Sequence, residues 1–383
     1  MPQSKDASYD RRARFAAYLH AMHDMPQAEI GHVLGGLSQS HVSRLLTHAE
    51  RAGYLVVERR LSDDALDEDD RRALRDLLAP AGLIERLTTF CEAVGQATPN
   101  VVVHQSGPGT TEGAMALRRR RFGRAAAGGL ATLLRDQALV GVAWGRTLGA
   151  VVDGIAHSKA PRPVRGDIEI VPVCAELLTV PQRDLSSSRI AERLFDVLVS
   201  DRRPVPQLTG FPAYVPRHYD GPAREAIWRL IRDAPNYDRI LHGPDSLAGR
   251  MDALLTAVGH TELLVLGGLD DLLRAAGMRA EELHRLVIGD IGGILVPRPD
   301  ATQGDREVIA ELNAMWTGIS LDQVTTIARR ARLGSPAAGV VVFALRSDRA
   351  PTLVEVVRQG LASHLVIDHE AAAGLNACLK ELL

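Results

Sequence analysis

Apolar positions in the first fifty residues recur at helical spacing. Over residues 10–23, "DRRARFAAYLHAMH", Phe15, Leu19 and Met22 share one face, and Ala16 and Ala17 allow a neighbouring helix to approach closely. "MPQAEIGHVLG" predicts a second helix starting at Pro26, with Ala28, Ile30, Val33 and Leu34 along it and Gly31 where a bulky side chain would block a crossing. Gly35 and Gly36 make a turn, Ser38 stands at an N-cap, and Val42, Leu45 and Leu46 are the apolar positions of a third helix. "AGYLVVERR" then reads as a short strand, which completes the pattern of a winged helix-turn-helix over residues 1–60.

Past about residue 98 the pattern changes. "NVVVHQ", "ALVGVAW", "DIEIVPV", "TELLVLGG", "GVVVFAL" and "HLVID" are short β-branched runs, each followed by a stretch of helical period. They predict an α/β body over residues 98–383, a mostly parallel sheet covered by helices. Between head and body, residues 61–97 hold the acidic run "SDDALDEDD". An amphipathic stretch broken at Pro80 follows, with Leu74, Leu77, Leu78, Leu83, Ile84 and Leu87, and reads as a helical linker able to pair with its copy in a second subunit.

Composition narrows the classes. A length of 383 residues exceeds the ~100 to 200 of a typical domain and suits a small head on a larger body. With 46% hydrophobic but only 4% aromatic residues the core must be aliphatic, and a net charge of -2 means that any polyanion is held by a local patch. Cys91, Cys174 and Cys378 have no paired spacing, so neither a disulfide framework nor a cysteine zinc site is expected. Lysines are confined to positions 5, 159 and 380, which leaves few candidates for imine chemistry. The N-terminus has no apolar signal core and no run is long and apolar enough to span a bilayer, so the expectation is a cytoplasmic protein with no membrane partner. His20, His23, His32, His41 and His48 lack spaced partners for a metal set, and no cofactor is expected.

Chemistry concentrates in two places. The third helix opens with Ser38, Gln39, Ser40, His41, Ser43 and Arg44, side chains suited to base edges and phosphate oxygens in a major groove; with Gln27 at the start of the preceding helix they form the candidate contacts to double-stranded DNA. In the body, ligands are expected outside the carboxyl ends of strands. There "VGVAWGRTLGAVVDGI" runs from a strand through Gly145, Arg146 and Thr147 into a helix, a seat for a phosphate or carboxylate. Other strand-end loops carry Glu176 in "VCAELL", Gly267 and Asp270 in "LGGLDD", and Asp290 in "IGDIGG", whose carboxylates suit sugar hydroxyls. "RRRR", Arg118 to Arg121, reads as a solvated or subunit-contact face.

Taken in order, "QAEIGHVLGGLSQSHVSRLL", "FGRAAAGGLATLL", "VGVAWGRTLGAVVDGI", "LLVLGGLDDLLRAAGM", "IGDIGGILV" and "VVVFAL" with "LASHLVIDHEAAAGL" resemble the SorC-type sugar-responsive bacterial transcriptional regulators. The resemblance implies a helix-turn-helix head, an effector domain related to phosphosugar isomerases, a sugar or sugar-phosphate effector, and a dimer or tetramer. It implies a phosphate loop at Gly145, Arg146 and Thr147, with Asp270 and Asp290 at the pocket rim. The chain departs from the family where a glycine pair becomes Ala175 and Glu176, a second becomes Leu345 and Arg346, and a following lysine becomes Arg349, which is kept among the expected effector-binding residues. Bulk at those positions narrows the pocket. The alternatives are an enzyme of the sugar-phosphate isomerase or deaminase class, for which no coherent acid/base set is present, and a DNA-binding regulator whose effector pocket is degenerate.

Overall fold

Alanine makes the packing face of the first helix. In the computed structural model, which describes residues 3–55, 70, 77–107, 109, 111–157, 166–175, 186–199, 203–243, 245–260, 269–332 and 336–383, the chain divides into two compact units, Met1–Ala65 and Leu66–Leu383. The first unit contains α1 (Gln3–His23), α2 (Gln27–Val33) and α3 (Gln39–Arg51). Its core joins Ala13, Ala16 and Ala17 of α1 to Ile30, Val42, Leu45, Leu46, Ala49 and Leu55. Phe15 and Met22, expected inside, are 47% and 70% exposed. The alanine stripe lets α3 approach so closely that the larger side chains lie outside the contact, and the Arg11 guanidinium covers the Phe15 ring at 5.2 Å instead.

The turn between α2 and α3 is fixed by its backbone. The amides of Gly36 and Leu37 both donate to the Gly31 carbonyl, at 2.9 and 2.8 Å, with Gly35 and Gly36 at φ 94° and 79°. Pro26 is the N-cap of α2 rather than its first residue, and Ser38 caps α3 by accepting from the His41 amide at 3.3 Å. Asp10 of α1 accepts from His48 Nε2 of α3 at 3.0 Å and from the Tyr54 hydroxyl at 2.8 Å, bonds that hold its carboxyl below the usual range. Of the expected wing strand, residues 52–55 form a turn after α3, and the rest lies outside the described residues.

In the second unit the elements run α4 (Leu83–Ala93), β1 (Asn100–His104), α5 (Glu112–Leu134), β2 (Leu139–Val142), α6 (Arg146–His157), β3 (Glu169–Pro172), α7 (Ser187–Leu198), α8 (Gly221–Arg232) and β4 (Ala253–His260). They continue with α9 (Leu269–Ala276), α10 (Ala280–Leu286), β5 (Val287–Ile291), β6 (Ile294–Pro297), α11 (Gln303–Asn313), α12 (Leu321–Arg332), β7 (Gly339–Ala344), α13 (Ala350–Arg358), β8 (His364–Asp368) and α14 (His369–Leu382). The sheet order is β1-β8-β7-β4-β2-β3, all parallel, with β5 antiparallel to the far end of β4 and β6 antiparallel to β5. This is the expected mostly parallel α/β body. A strand covered on both faces must be apolar throughout, and β7 is buried at all six positions.

Five expected strands fall on β1, β2, β3, β7 and β8, whereas "TELLVLGG" lies outside the described residues. β4 was not anticipated, and neither was the β5–β6 hairpin turning at Gly292 and Gly293. Of the acidic run 62–70, residues 62–69 lie outside the described residues and Asp70 is exposed. Pro80 does interrupt the following segment, its carbonyl accepting from the Leu83 amide at 3.0 Å as α4 begins.

One surface expectation is corrected. Arg118, the first residue of "RRRR", is 1% exposed. Its guanidinium pairs with Asp368 at the end of β8 and lies 2.9 Å from Glu370. Asp368 also accepts from Ser106 Oγ at 2.7 Å, so the first arginine of the run is a core residue neutralised by a carboxylate from the last strand.

Candidate functional site

On the head, burial of Val42, Leu45, Leu46 and Ala49 turns the opposite face of α3 outward. Gln39, Ser40, Ser43 and Arg44 are exposed there, Ser38 precedes them exposed, His41 is half-buried beside Tyr9 with ring centroids 6.2 Å apart, and Gln27 is half-buried at the start of α2. Ser38 Oγ and Ser40 Oγ are 3.0 Å apart, and Arg44 Nε donates to the Ser40 carbonyl at 3.3 Å. Sequence reasoning passed over Thr47, exposed one turn further on with its hydroxyl bonded to the Ser43 carbonyl at 2.9 Å.

In the body a second cluster forms outside the carboxyl ends of the strands. Gly145, with φ 137°, carries the chain from β2 into the first turn of α6, leaving Arg146 and Thr147 half-buried. From the end of β5, buried Asp290 accepts a 3.0 Å bond from the Gly293 amide. Burial raises its pKa to about 6, against the opposing pull of the Gly293 bond and of Arg349. From the turn after β7 comes Arg349, whose guanidinium is pushed down by burial and by the nearby charges of Arg346 and Arg146, and held up by Asp348 and Asp290. Asp348 lies 2.9 Å from Arg346 and 3.4 Å from Arg349.

An aromatic floor adjoins these charges. Trp316 meets Trp144 and Tyr214 at centroid distances of 5.0 and 5.2 Å and anchors its indole N–H on the Ile319 carbonyl at 3.1 Å. The Tyr214 hydroxyl is pushed far up by burial, then by the fields of Asp290, Cys174 and Asp271. The Cys174 thiol donates to the Gly292 carbonyl at 3.5 Å.

Four expected residues, Gly145, Arg146, Asp290 and Arg349, thus come from three strand ends to one neighbourhood. Thr147 follows in the same helical turn. Asp270 is exposed in the first turn of α9, and its neighbour Asp271 is the carboxylate whose field reaches Tyr214. Glu176 and Gly267 lie outside the described residues, while Ala175 is fully buried. Tyr214, Trp144, Trp316, Cys174 and Asp348 were missed. Trp144 carried a signal, being next to Gly145 in a chain poor in aromatics; Tyr214 and Trp316 meet through an isolated antiparallel bridge that local spacing does not announce.

A groove of about 460 Å³ lies at the opposite, amino ends of β2 and β4, lined by Ala138, Leu139, Gly249, Arg250, Asp252 and Arg330. Its carboxylate is already engaged, Asp252 accepting from the amides of Ala138 and Leu139 and from Arg330. Among the described residues no group of three or more His, Cys, Asp or Glu is placed to hold a metal ion, and no helix is long and apolar enough to cross a membrane.

A helix-turn-helix unit and a parallel α/β body with a charged site at its strand ends define a class of architecture, and solved structures share it. The full-length sorbitol operon regulator SorC from Klebsiella pneumoniae is similar at 17% identity and a TM-score of 0.50, covering 96% of this chain and 99% of that one. A transcriptional regulator from Streptococcus pneumoniae TIGR4 has 15% identity and a TM-score of 0.50 over 79% of this chain and 98% of its own. A domain of a transcriptional repressor from Vibrio fischeri, described as sugar-binding, also has 15% identity and a TM-score of 0.50, over 78% and 99%. No protein-family profile and no curated protein sequence matches the chain. The fold is therefore that of the SorC-type regulators, as the sequence motifs implied.

Proposed function

We propose that the chain is a DNA-binding transcriptional regulator whose operator binding is controlled by a small metabolite, a sugar or sugar phosphate, held at the strand-end site. The observation that carries this reading is α3, a helix capped by Ser38 after a glycine turn, apolar on its buried face and presenting Gln39, Ser40, Ser43 and Arg44 outward. Sharing a fold with regulators fits it. The protein acts as a homo-oligomer, dimer or tetramer, in the cytoplasm, with residues 61–97 as a dimerisation segment, because two heads meet successive major grooves. The effector works by binding two body conformations unequally, and relief of repression is the simplest scheme.

An enzymatic reading is less favoured: the groups whose fields act on Asp290 and Tyr214 are Arg349, Cys174 and Asp271, with no histidine among them to complete an acid/base pair. A regulator with a degenerate pocket is the second reading, favoured by one observation: at the positions of a family glycine pair stand buried Leu345 and Arg346, whose guanidinium is already engaged with Asp348.

Fluorescence anisotropy with the purified protein and its own upstream DNA, at fixed salt, tests both readings. Specific binding that one sugar phosphate shifts is the expected result. Arg44→Ala weakens operator binding by about 1–3 kcal/mol if the side chain reads a base, and Arg146→Ala abolishes only the response to ligand. Specific binding that no compound shifts selects the degenerate pocket, and no specific binding overturns the regulator.

A further inference from the structure

The turn after β7 is strained where the chain departs from glycine. Arg346 has φ 78° and ψ 152°, a region that side-chain-bearing residues avoid and that persists only where surroundings over-determine it. Here they do. Its amide donates to Asp368 Oδ1 at 3.0 Å, and Asp368, fully buried, is locked by the Ala371 amide at 2.9 Å, by Ser106 and by Arg118. The fold thus sustains an unfavourable backbone under an arginine where glycine would be relaxed. That arginine lies near Arg349, on which its charge and that of Arg146 both act.

Asp348 lies between Arg346 and Arg349, and the charges felt at Arg349 are the guanidiniums of Arg346 and Arg146 against two carboxylates, Asp348 and Asp290; with its own charge, one positive charge is uncompensated even with both carboxylates ionised. Two buried atoms in the cluster, Arg349 Nη1 and Asp348 Oδ1, have no hydrogen-bond partner: they face each other at 3.4 Å without bonding geometry. Asp348 sits in a short 3-10 turn at the edge of the cluster, with its side chain 26% exposed.

We infer that Asp348 is an internal counter-anion of the effector site: its carboxylate occupies the seat between Arg346 and Arg349, and the effector enters by displacing it with a phosphate group. Displacement leaves two uncompensated charges, matched by a phosphate dianion and not by a neutral sugar. Arg346 and Asp348 together therefore set specificity, Arg346 by adding a cation and Asp348 by rejecting ligands too weakly charged to compete. This deepens the effector reading given above and rests on the strand-end site being the one used.

The test is isothermal titration of the full chain with inorganic phosphate as the probe. Asp348→Asn, nearly isosteric, tightens phosphate binding by about tenfold, the scale of one charge-assisted hydrogen bond no longer contested. Arg346→Gly weakens phosphate binding and raises the thermal midpoint, since glycine relaxes the backbone. Asp153→Asn, which removes an exposed α6 carboxylate paired with Arg193 of α7, leaves phosphate affinity unchanged. Equal or undetectable binding in wild type and Asp348→Asn overturns the inference, and so does an equal gain in Asp153→Asn or unaltered binding in Arg346→Gly. If circular dichroism shows Asp348→Asn unfolded, Asp348→Ser takes its place. Operator anisotropy on the same samples separates the two ideas: DNA binding that ignores phosphate and its esters, beside the predicted titrations, sinks the regulated response and leaves the counter-anion standing.

Discussion

At Asp290 a carboxylate is buried with one backbone donor and one nearby arginine, and burial wins. Its folded pKa of about 6 stands above the ordinary carboxylate value of 3.8, so folding favours the protonated form. The stabilising contribution is complete below 3.8, where both states carry the proton, and is lost as pH rises through about 6, where the folded state must hold a buried charge. At roughly 1.4 kcal/mol per unit, the loss is at most about 3 kcal/mol. Thermal melts across this window should show wild type falling relative to Asp290→Asn and running parallel to it above about pH 6; curves parallel throughout would refute the assignment. Gly145 and Arg146 were legible because they follow a strand pattern directly, and Asp290 because its glycine-flanked stretch reads as a loop carboxylate, although it lies inside β5. Tyr214 and Trp316 were not, since a residue's chemistry is visible in sequence but a meeting across distant segments is not.

Helices of the head show how far periodicity reaches. The turn, the Ser38 cap and the apolar line of α3 are all written locally, and so was the role of Gly31, although its obstacle proves to be the chain's own turn. A Cβ there would lie 2.1 Å from the Leu37 carbonyl oxygen, a backbone atom that moves only if the turn opens. Gly31→Ala should therefore destabilise the head by roughly 1–3 kcal/mol, the range for overpacking, and speed hydrogen exchange in the first amides of α3; exchange identical to wild type would show that the turn yields freely. Periodicity failed at α1, where Phe15 and Met22 outrank alanine in hydrophobicity but closeness of approach decides the packing. It also failed at β4 and β5, where "ALLTAVGH" and "VIGDI" include threonine, glycine and a buried aspartate, residues that interrupt an apolar run.

Across the body, the Arg118–Asp368 pair ties α5 to the end of β8 over 250 residues of chain, beside Ser106 and the turn carrying Arg346. Arg118→Met should reduce stability by about 3–5 kcal/mol by leaving Asp368 buried without its counter-charge, and adding Asp368→Asn should restore part of that. Urea unfolding of the full chain measures both, and a loss below about 1 kcal/mol in the single variant would mean that water reaches the carboxylate. This pair was misread in sequence because an arginine run looks solvated until its carboxylate arrives from the far end of the chain. The same order of strands, β1-β8-β7, has a consequence for biosynthesis. Among the described strands β1 pairs with β8 alone, about 260 residues further along the chain, so its edge stays open until residues 364–368 have been made. A chain stalled before residue 364 therefore presents an apolar strand, Val101 to Val103, without the strand it pairs with.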